Sequence, residues 1–176
     1  MNIIRLANKD DTDEISTLIE NSARVLGGEF YDTKTIEKAL KGAFGVDSQL
    51  IKDKTYYLIH QNNQLVACGG WSYRETLFGS DTVENRSPRK LDVKSEAAKI
   101  RAFFIHPKFA RQGLGKLILE QCESEAKRYG FTHIQLMSTL SGVDFYKKNG
   151  FIGKEHIIHK MENNSPIKFL PMNKTL

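Results

Sequence analysis

The segment from Lys99 to Tyr129 is the feature that most constrains the fold of this chain. Its apolar and aromatic run, Ile100–Ile105, is typical of a strand, and Pro107 follows where a central strand should end because proline has no amide hydrogen. Apolar residues then recur at helical spacing over Leu114–Tyr129, and Gly130 is well placed to end that helix. The segment therefore predicts a strand, a glycine loop and a helix.

The loop of this unit contains Gly113 and Gly115, flanked by the cations Arg111 and Lys116. Glycine has no Cβ, so the backbone can come close to a ligand. The first amides of a helix lack partners within it and lie at the positive end of its dipole, where phosphate binds readily. A pyrophosphate could be held here by main-chain amides, those of Gln112, Gly113, Gly115 and Lys116. The alternative is a tight turn without a ligand, and no third glycine follows at the spacing of the dinucleotide fingerprint.

Further motifs surround this unit. His-Pro follows the strand, the loop reads Arg-Gln-Gly-Leu-Gly-Lys, a second strand follows the helix, and Phe-Tyr-Lys-Lys-Asn-Gly-Phe occupies 145–151. Together, Ala98–Phe151 resembles the GNAT superfamily of acyl-CoA-dependent N-acyltransferases. One departure is Ala110, at a position where the family commonly has Gln or Arg. The resemblance implies an α/β (α+β) fold: a mixed, mostly antiparallel sheet of six or seven strands with a central splayed parallel pair, flanked by about four helices, in a single domain over 1–176.

The resemblance also implies a cofactor site and a catalytic residue. Coenzyme A would bind at the glycine loop, with acetyl-CoA as the acyl donor and Arg111 near its phosphates. Phe104 and Ile105 match the strand whose free backbone groups bind the pantetheine and the thioester. Tyr146 matches the tyrosine that protonates the departing thiolate or orders the sulfur, since a phenol with a pKa of about 10 is protonated at neutral pH. A packing role is the alternative for Tyr146.

The acceptor side is defined less sharply by the sequence. In the family, the segment between the first two helices commonly lines the acceptor site, which favours Glu29 as the general base and Tyr31 as a substrate contact. A water chain could replace a dedicated base. Trp71 could wall the acceptor pocket, with packing in the core as the alternative. The other candidate bases are Glu75, Glu96, His133 and His156.

The leading functional prediction is an N-acetyltransferase that uses acetyl-CoA and the primary amine of a small molecule or peptide. Two alternatives stay open: a GNAT-like module that binds acyl-CoA without catalysis, and a nucleotide-binding domain of unrelated fold. The resemblance is compatible with a homodimer.

Composition narrows the classes of partner. The chain of 176 residues has a formal net charge of +5, but its basic residues are scattered, which argues against nucleic acid as the partner. No apolar run reaches the length of about 20 residues that spans a membrane. Cys68 and Cys122 lie in apolar segments, and the five histidines show no metal-ligand spacing, so we expect no metal. The start of the sequence has no signal-peptide core, and a cytoplasmic location is expected.

Periodicity and turn residues predict the remaining elements. The predicted strands are 2–7, Thr55–His60, Leu65–Tyr73, Thr132–Ser138, Ile152–Lys160 and Pro166–Met172, the last two joined by a turn at 162–165. The predicted helices have a buried face over Ile15–Val25, capped by Asp10 or Asp11, and then run over Thr33–Phe44 and Ser141–Lys148, the last capped by Ser141. The polar segment Arg74–Glu96 is either a mobile surface loop or a flap over the acceptor pocket or a dimer contact.

Overall fold

A computed structural model of the protein describes residues 3–83, 86–161 and 165–176. Within them the strands are β1 (Ile3–Leu6), β2 (Tyr56–Gln61), β3 (Gln64–Ser72), β4 (Ala98–Ile105), β5 (His133–Thr139), β6 (Ile157–Lys160) and β7 (Pro166–Thr175). The α-helices of these residues are α1 (Thr12–Leu26), α2 (Thr33–Ala39), α3 (Ser48–Lys52), α4 (Leu114–Tyr129) and α5 (Val143–Lys148). The predicted turn at 162–165 lies mostly outside the described residues.

The strands form one mixed sheet in the order β1-β2-β3-β4-β5-β7-β6. Among the described strands, β4 and β5 are parallel, and the other neighbouring pairs are antiparallel. The parallel pair follows from the connection through α4, since parallel strands require a crossover. This confirms the predicted fold class, with α3 as a short helix that the sequence pattern did not indicate.

Helices cover both faces of the sheet. We call the side covered by α4 and α5 the α4 face and the side covered by α1, α2 and α3 the α1 face, and each has its own apolar cluster. The stripe of Leu114, Ile118, Cys122 and Ala126 on α4 is almost fully buried, as its helical spacing predicts. Gly130 ends α4 with a φ of 116°, a conformation that glycine adopts without strain.

Two predicted helix boundaries are wrong for local reasons. Helix α2 ends at Ala39 instead of Phe44, because the amide of Phe44 folds back to the Ala39 carbonyl at 2.8 Å and carries the phenyl ring into the core. Helix α5 begins at Val143, and Ser141 does not cap it, since the Ser141 hydroxyl bonds to that of Thr139 at 3.0 Å.

The start of α1 also differs from its prediction. Asp11 makes no side-chain cap, because its carboxylate accepts hydrogen bonds from the Arg5 guanidinium at 2.7 and 2.8 Å. Asn8 instead caps a short 3-10 turn that leads into the helix. Val25, expected on the buried face, is 55% exposed. Among the described helices, none combines the length and the apolar character of a membrane span.

The parallel pair separates soon after it begins. Strands β4 and β5 are in register only at Ala98 with Ile134 and at Lys99 with Gln135. Beyond these pairs a bulge interrupts the register between β3 and β4, and there Ala102 has a φ of 54°. The two strands therefore diverge and leave a gap in the middle of the sheet.

The bulge is held from the neighbouring strands. The buried Tyr56 hydroxyl donates to the Ala102 carbonyl at 3.1 Å. A Cβ at Gly69 would lie 2.6 Å from the Phe103 ring, so only glycine lets β3 approach the bulge this closely. The small residues of β3 thus pack against β4 and its side chains, which supports the separation of β4 from β5.

Ion pairs attach the segment from Arg74 to Glu96 to the body of the protein. Arg74 binds the Asp53 carboxylate with two hydrogen bonds of 2.6 and 2.8 Å. Arg86 pairs with Asp47 at 2.6 Å. Within the segment, Arg89 bridges Glu75 and Glu96 at 3.0 and 2.7 Å. Part of this segment therefore lies against the sheet, at the side of the gap.

Candidate functional site

A cleft of about 860 Å³ occupies the gap between β4 and β5. Its walls contain residues of both apolar clusters, such as Phe103 and Phe145 from the α4 face and Phe104 and Phe169 from the α1 face. The cleft therefore connects the two faces of the sheet. This passage exists because the strands diverge, since paired strands would close it with backbone hydrogen bonds.

The glycine loop lies at the opening of the cleft on the α4 face. Gly113 precedes α4 with a φ of 82°, and no side chain caps the helix there. The first intrahelical bond runs from the Leu117 amide to the Gly113 carbonyl at 3.1 Å, which leaves the amides before it open. A Cβ at Gly113 would have no heavy atom within 4 Å, whereas one at Gly115 would lie 3.3 Å from the Phe145 ring. The loop thus presents unpaired donors to open space.

Charges at this opening favour an anion. The charged residues that line the cleft on the α4 face are Arg111, Lys116, Lys148 and Asp144, three cations and one carboxylate. All four are exposed, and Arg111 has a φ of 62°. The helix dipole adds partial positive charge at the same place. Gln112 lies just outside the cleft lining, and its side-chain amide donates to the Lys108 carbonyl at 3.3 Å.

The backbone N–H and C=O groups of β4 point alternately toward β3 and toward the gap. The His106 amide donates to Val66 on β3 at 2.8 Å, so the alternation of strand hydrogen bonds turns Phe104 toward β3 as well. Phe103 and Ile105 are then the residues whose backbone groups face the gap. The Ile105 amide already donates to the Ser22 hydroxyl of α1 at 3.3 Å. Sequence reasoning selected Phe104 and Ile105 and missed Phe103, because the bulge that sets the alternation has no local signature.

Tyr146 lies on α5 against the α4 face of the cleft and is 8% exposed. Its ring packs on Phe103, Phe145 and Phe151, with ring centres 5.0–6.3 Å apart. Burial raises the pKa of the phenol above its ordinary value, so the hydroxyl is protonated at neutral pH. None of the hydrogen bonds found among the described residues involves this hydroxyl. Phe145 also lines the cleft, whereas Phe151 is buried.

Two residues predicted on the acceptor side line the cleft on the opposite face. Tyr31 donates its hydroxyl to the Lys168 carbonyl at 2.6 Å and accepts from the Leu140 amide at 2.8 Å. Burial raises the pKa of Tyr31 to about 12, so its hydroxyl stays protonated at neutral pH and does not act as a base there. Its two hydrogen bonds instead connect separate segments of the chain. Glu29 is exposed at the rim of the cleft.

The remaining candidates lie elsewhere. Trp71 is 3% exposed and packs among Tyr73, Tyr129 and Phe131. It therefore lies in the core and does not line the cleft, as the packing alternative expected. The other candidate bases, which do not line the cleft, are Glu75, Glu96, His133 and His156. Among the described residues, no group of three or more His, Cys, Asp or Glu side chains could hold a metal ion.

The sequence analysis did not select several residues that line the cleft. Phe44, Phe78 and Phe169 wall the α1 face of the cleft, and Phe78 lies 5.4 Å from Phe169 between ring centres. Arg101 of β4 also lines it; burial lowers its pKa to about 10, and its guanidinium pairs with Asp47 at 2.7 Å. Only Phe78, within the predicted flap, had any indication in the sequence.

A family model described as an acetyltransferase (GNAT) domain matches residues 89–176, which is half of the chain. The chain belongs to the GNAT acetyltransferase family. The match starts just before β4 and includes the glycine loop and α5, the segments in which the sequence resemblance was found. The part of this GNAT chain that carries Glu29, Tyr31 and Phe44 precedes the match.

Solved structures share the fold at low sequence identity. A GCN5-related N-acetyltransferase from Rhodopseudomonas palustris is 13% identical, with a TM-score of 0.72 over 100% of this chain and 96% of that one. The PaiA N-acetyltransferase from Thermoplasma acidophilum, in complex with coenzyme A, is 14% identical, with a TM-score of 0.66 over 100% and 99%. The ribosomal-protein-S18-alanine N-acetyltransferase from Escherichia coli is 13% identical, with a TM-score of 0.58 over 99% and 94%. Comparison with curated protein sequences finds no match.

Proposed function

We propose that this GNAT protein transfers an acetyl group from acetyl-CoA to a primary amine. The observation that carries the proposal is the divergence of β4 from β5 with uncapped amides at its opening: it joins an anion site on one face to an apolar chamber on the other. An acyl donor bound by its phosphates on the α4 face would reach an acceptor on the α1 face through this gap. The coenzyme A complex of the Thermoplasma relative supports the same ligand class.

The residues present fit the diphosphate of coenzyme A. The amides from Gly113 to Lys116 have no side-chain cap and can donate hydrogen bonds at the opening of the cleft. Because Gly113 has no side chain, a phosphate oxygen has room to approach them. Arg111, Lys116 and Lys148 supply full positive charges, partly offset by Asp144. A hydrogen bond to a charged group contributes about 1.5–3 kcal/mol, so several such amides suffice to anchor the donor.

The backbone of β4 would orient the thioester. Phe103 and Ile105 face the gap, and a backbone donor placed at the developing oxyanion is worth roughly 2.7–4 kcal/mol in other acyl-transfer enzymes. Because Ser22 engages the Ile105 amide, the backbone of Phe103 is the stronger candidate for this contact.

Proton transfers at sulfur and at nitrogen complete the reaction. The amine attacks the thioester carbonyl, the carbon–sulfur bond breaks, and the departing thiolate takes a hydrogen bond and then a proton from the Tyr146 phenol. The raised pKa of this phenol favours hydrogen bonding to sulfur over early proton transfer. Before the attack, the acceptor ammonium loses one proton to Glu29, which lines the cleft on the α1 face, directly or through water. After the attack, the nitrogen loses its second proton to water, and the Tyr146 phenolate regains a proton from water.

Three measurements test the proposal: a calorimetric titration, an enzyme assay and a thermal-shift comparison of ligands. Calorimetric titration with coenzyme A should show binding, and release of free thiol from acetyl-CoA should depend on an added amine. Binding without thiol release for any amine would favour the non-catalytic acyl-CoA module. Stabilisation by NAD or ATP but not by coenzyme A would overturn the proposal, since a ligand of the folded state raises the unfolding temperature.

A further inference from the structure

The α1 face of the cleft is walled mainly by aromatic and apolar side chains. Phe44 and Phe104 meet edge to face, with ring centres 6.1 Å apart, and Phe78 and Phe169 meet at 5.4 Å. Met137 lines the same chamber. These residues belong to the apolar cluster of the α1 face, so the chamber continues the core rather than the polar surface.

The charges of this chamber are few and mostly neutralised. Glu29 and Arg101 are its charged lining residues among those that the structure describes. The Arg101 side chain is 3% exposed and is engaged by Asp47 at 2.7 Å and by the Gly79 carbonyl at 2.6 Å. Within 3–83, 86–161 and 165–176, the exposed Glu29 is therefore the one charge of this chamber that is available to a ligand.

The wall behind the aromatic pair is also uncharged at neutral pH. His159 packs edge to face on Phe78, with ring centres 4.6 Å apart, and lies 6.4 Å from Phe169. Burial lowers the pKa of its imidazole below the ordinary value of 6.5. The chamber thus offers aromatic surface and one rim carboxylate.

This composition discriminates between classes of amine. A polyamine or aminoglycoside would bring several positive charges to a chamber with one available carboxylate, and charges buried without partners are strongly unfavourable. An acidic amino acid would need a free cation, whereas the charge of Arg101 is neutralised by Asp47, and the Nε donor of its guanidinium lacks a partner among the described residues. An amine with one charge and an aromatic body would bury its ring against the phenyl walls.

We propose that the acceptor is a primary amine on an aromatic or similarly apolar body, with an arylalkylamine as its simplest form. The inference rests on the proposed acetyl transfer and adds the substrate class. The ring of the acceptor packs against the contacting pair of Phe78 and Phe169, on the side that lines the cleft, and its amine points toward the gap and the rim carboxylate Glu29. Phe78 is a specificity-determining residue that acts through contact with the acceptor.

The experiment compares 2-phenylethylamine, spermidine and glutamate as acceptors, by thiol release from acetyl-CoA and by calorimetric binding to the CoA-loaded protein. We expect kcat/KM for 2-phenylethylamine to exceed that for the other two by at least tenfold, with measurable binding for it alone. A preference for spermidine or glutamate, or binding of coenzyme A with no binding of 2-phenylethylamine, overturns the assignment. Failure of coenzyme A itself to bind refutes the proposed function instead, and is seen before any amine is added.

Substitutions of Phe78 test whether its side chain contacts the acceptor. The substitution Phe78→Ala should lower the affinity for 2-phenylethylamine roughly tenfold, because aromatic pairs and the ring area they bury contribute on this scale. Phe78→Leu, which keeps an apolar side chain, should lose less. The matched control is Ile158→Ala, a truncation at a side chain that is 71% exposed and lies outside the cleft lining. Unchanged coenzyme A binding shows that each variant is folded, and equal amine affinity in Phe78→Ala and the control contradicts the proposal.

Discussion

Two glycines that flank α4 allow a matched test of the proposed coenzyme A site. Gly113 precedes the helix with a φ of 82°, and Gly130 ends it with a φ of 116°. A Cβ at Gly113 would enter open space in front of the helix amides, and one at Gly130 would make an ordinary 3.6 Å contact with Val93. The substitutions Gly113→Ala and Gly130→Ala therefore share a backbone cost and differ in what the new methyl group meets.

The backbone cost is set by the left-handed conformation. An L-residue there loses roughly 1–2 kcal/mol relative to glycine, so the free energy of unfolding should fall by about that amount in both variants. For a protein of this size the melting temperature should decrease by about 2–8 °C in each. Similar losses would show that the two sites are matched in stability.

The affinity for coenzyme A should separate the variants. The methyl group of Gly113→Ala occupies the approach to the open amides, and the loss of one hydrogen bond to a phosphate costs about 1.5–3 kcal/mol. We therefore expect Kd to rise roughly 10- to 150-fold in this variant and to stay within about twofold in Gly130→Ala. Titration calorimetry at a temperature well below both melting transitions provides the measurement.

One result would refute the reasoning about the loop. If folded Gly113→Ala binds coenzyme A as tightly as Gly130→Ala does, the amides at the start of α4 do not contact the diphosphate. The larger, charged substitution Gly113→Glu gives a second reading, because its carboxylate adds repulsion to the steric block and should abolish binding. Tight binding in that variant would lead to the same conclusion.

Three further predictions concern the other cleft residues. Tyr146→Phe should lower kcat by roughly 10²- to 10⁴-fold with little change in the Kd of coenzyme A, and an unchanged kcat in steady-state assays removes this residue as the acid. Glu29→Gln should lower kcat at neutral pH, with partial recovery as the pH of the assay approaches the pKa of the free amine; a normal rate at neutral pH would assign the proton to water. Tyr31→Phe should lower the free energy of unfolding by about 1–3 kcal/mol through two lost hydrogen bonds. The Tyr31 phenol is protonated in both states below pH 10 and its folded pKa is about 12, so its contribution is present below pH 10 and lost as the pH rises through 12. The difference between wild type and Tyr31→Phe in urea unfolding should therefore narrow over that window, and a constant difference would contradict the buried, protonated state.

Part of the site was predictable because its signals are local. The strand, the glycine loop and α4 follow from apolar spacing within one window of sequence, and the helix ends at the positions that Gly113 and Gly130 indicate. Tyr146 was reached through a motif of seven neighbouring residues. Local signals also failed where tertiary contacts prevailed, as at Phe44, whose ring packs into the core after α2 has ended.

The sequence by itself determined the unit that would bind the acyl donor, because periodicity, glycine conformation and helix-end charge are properties of adjacent residues. Only the tertiary structure decided the chamber on the other face. Phe44, Phe78 and Phe169 meet there from distant parts of the chain, and the bulge at Ala102 separates β4 from β5 to open it. The tertiary structure also places Trp71 in the core and outside the cleft. The sequence could not decide this, because an aromatic residue on a strand can occupy a core or a pocket wall, depending on its neighbours.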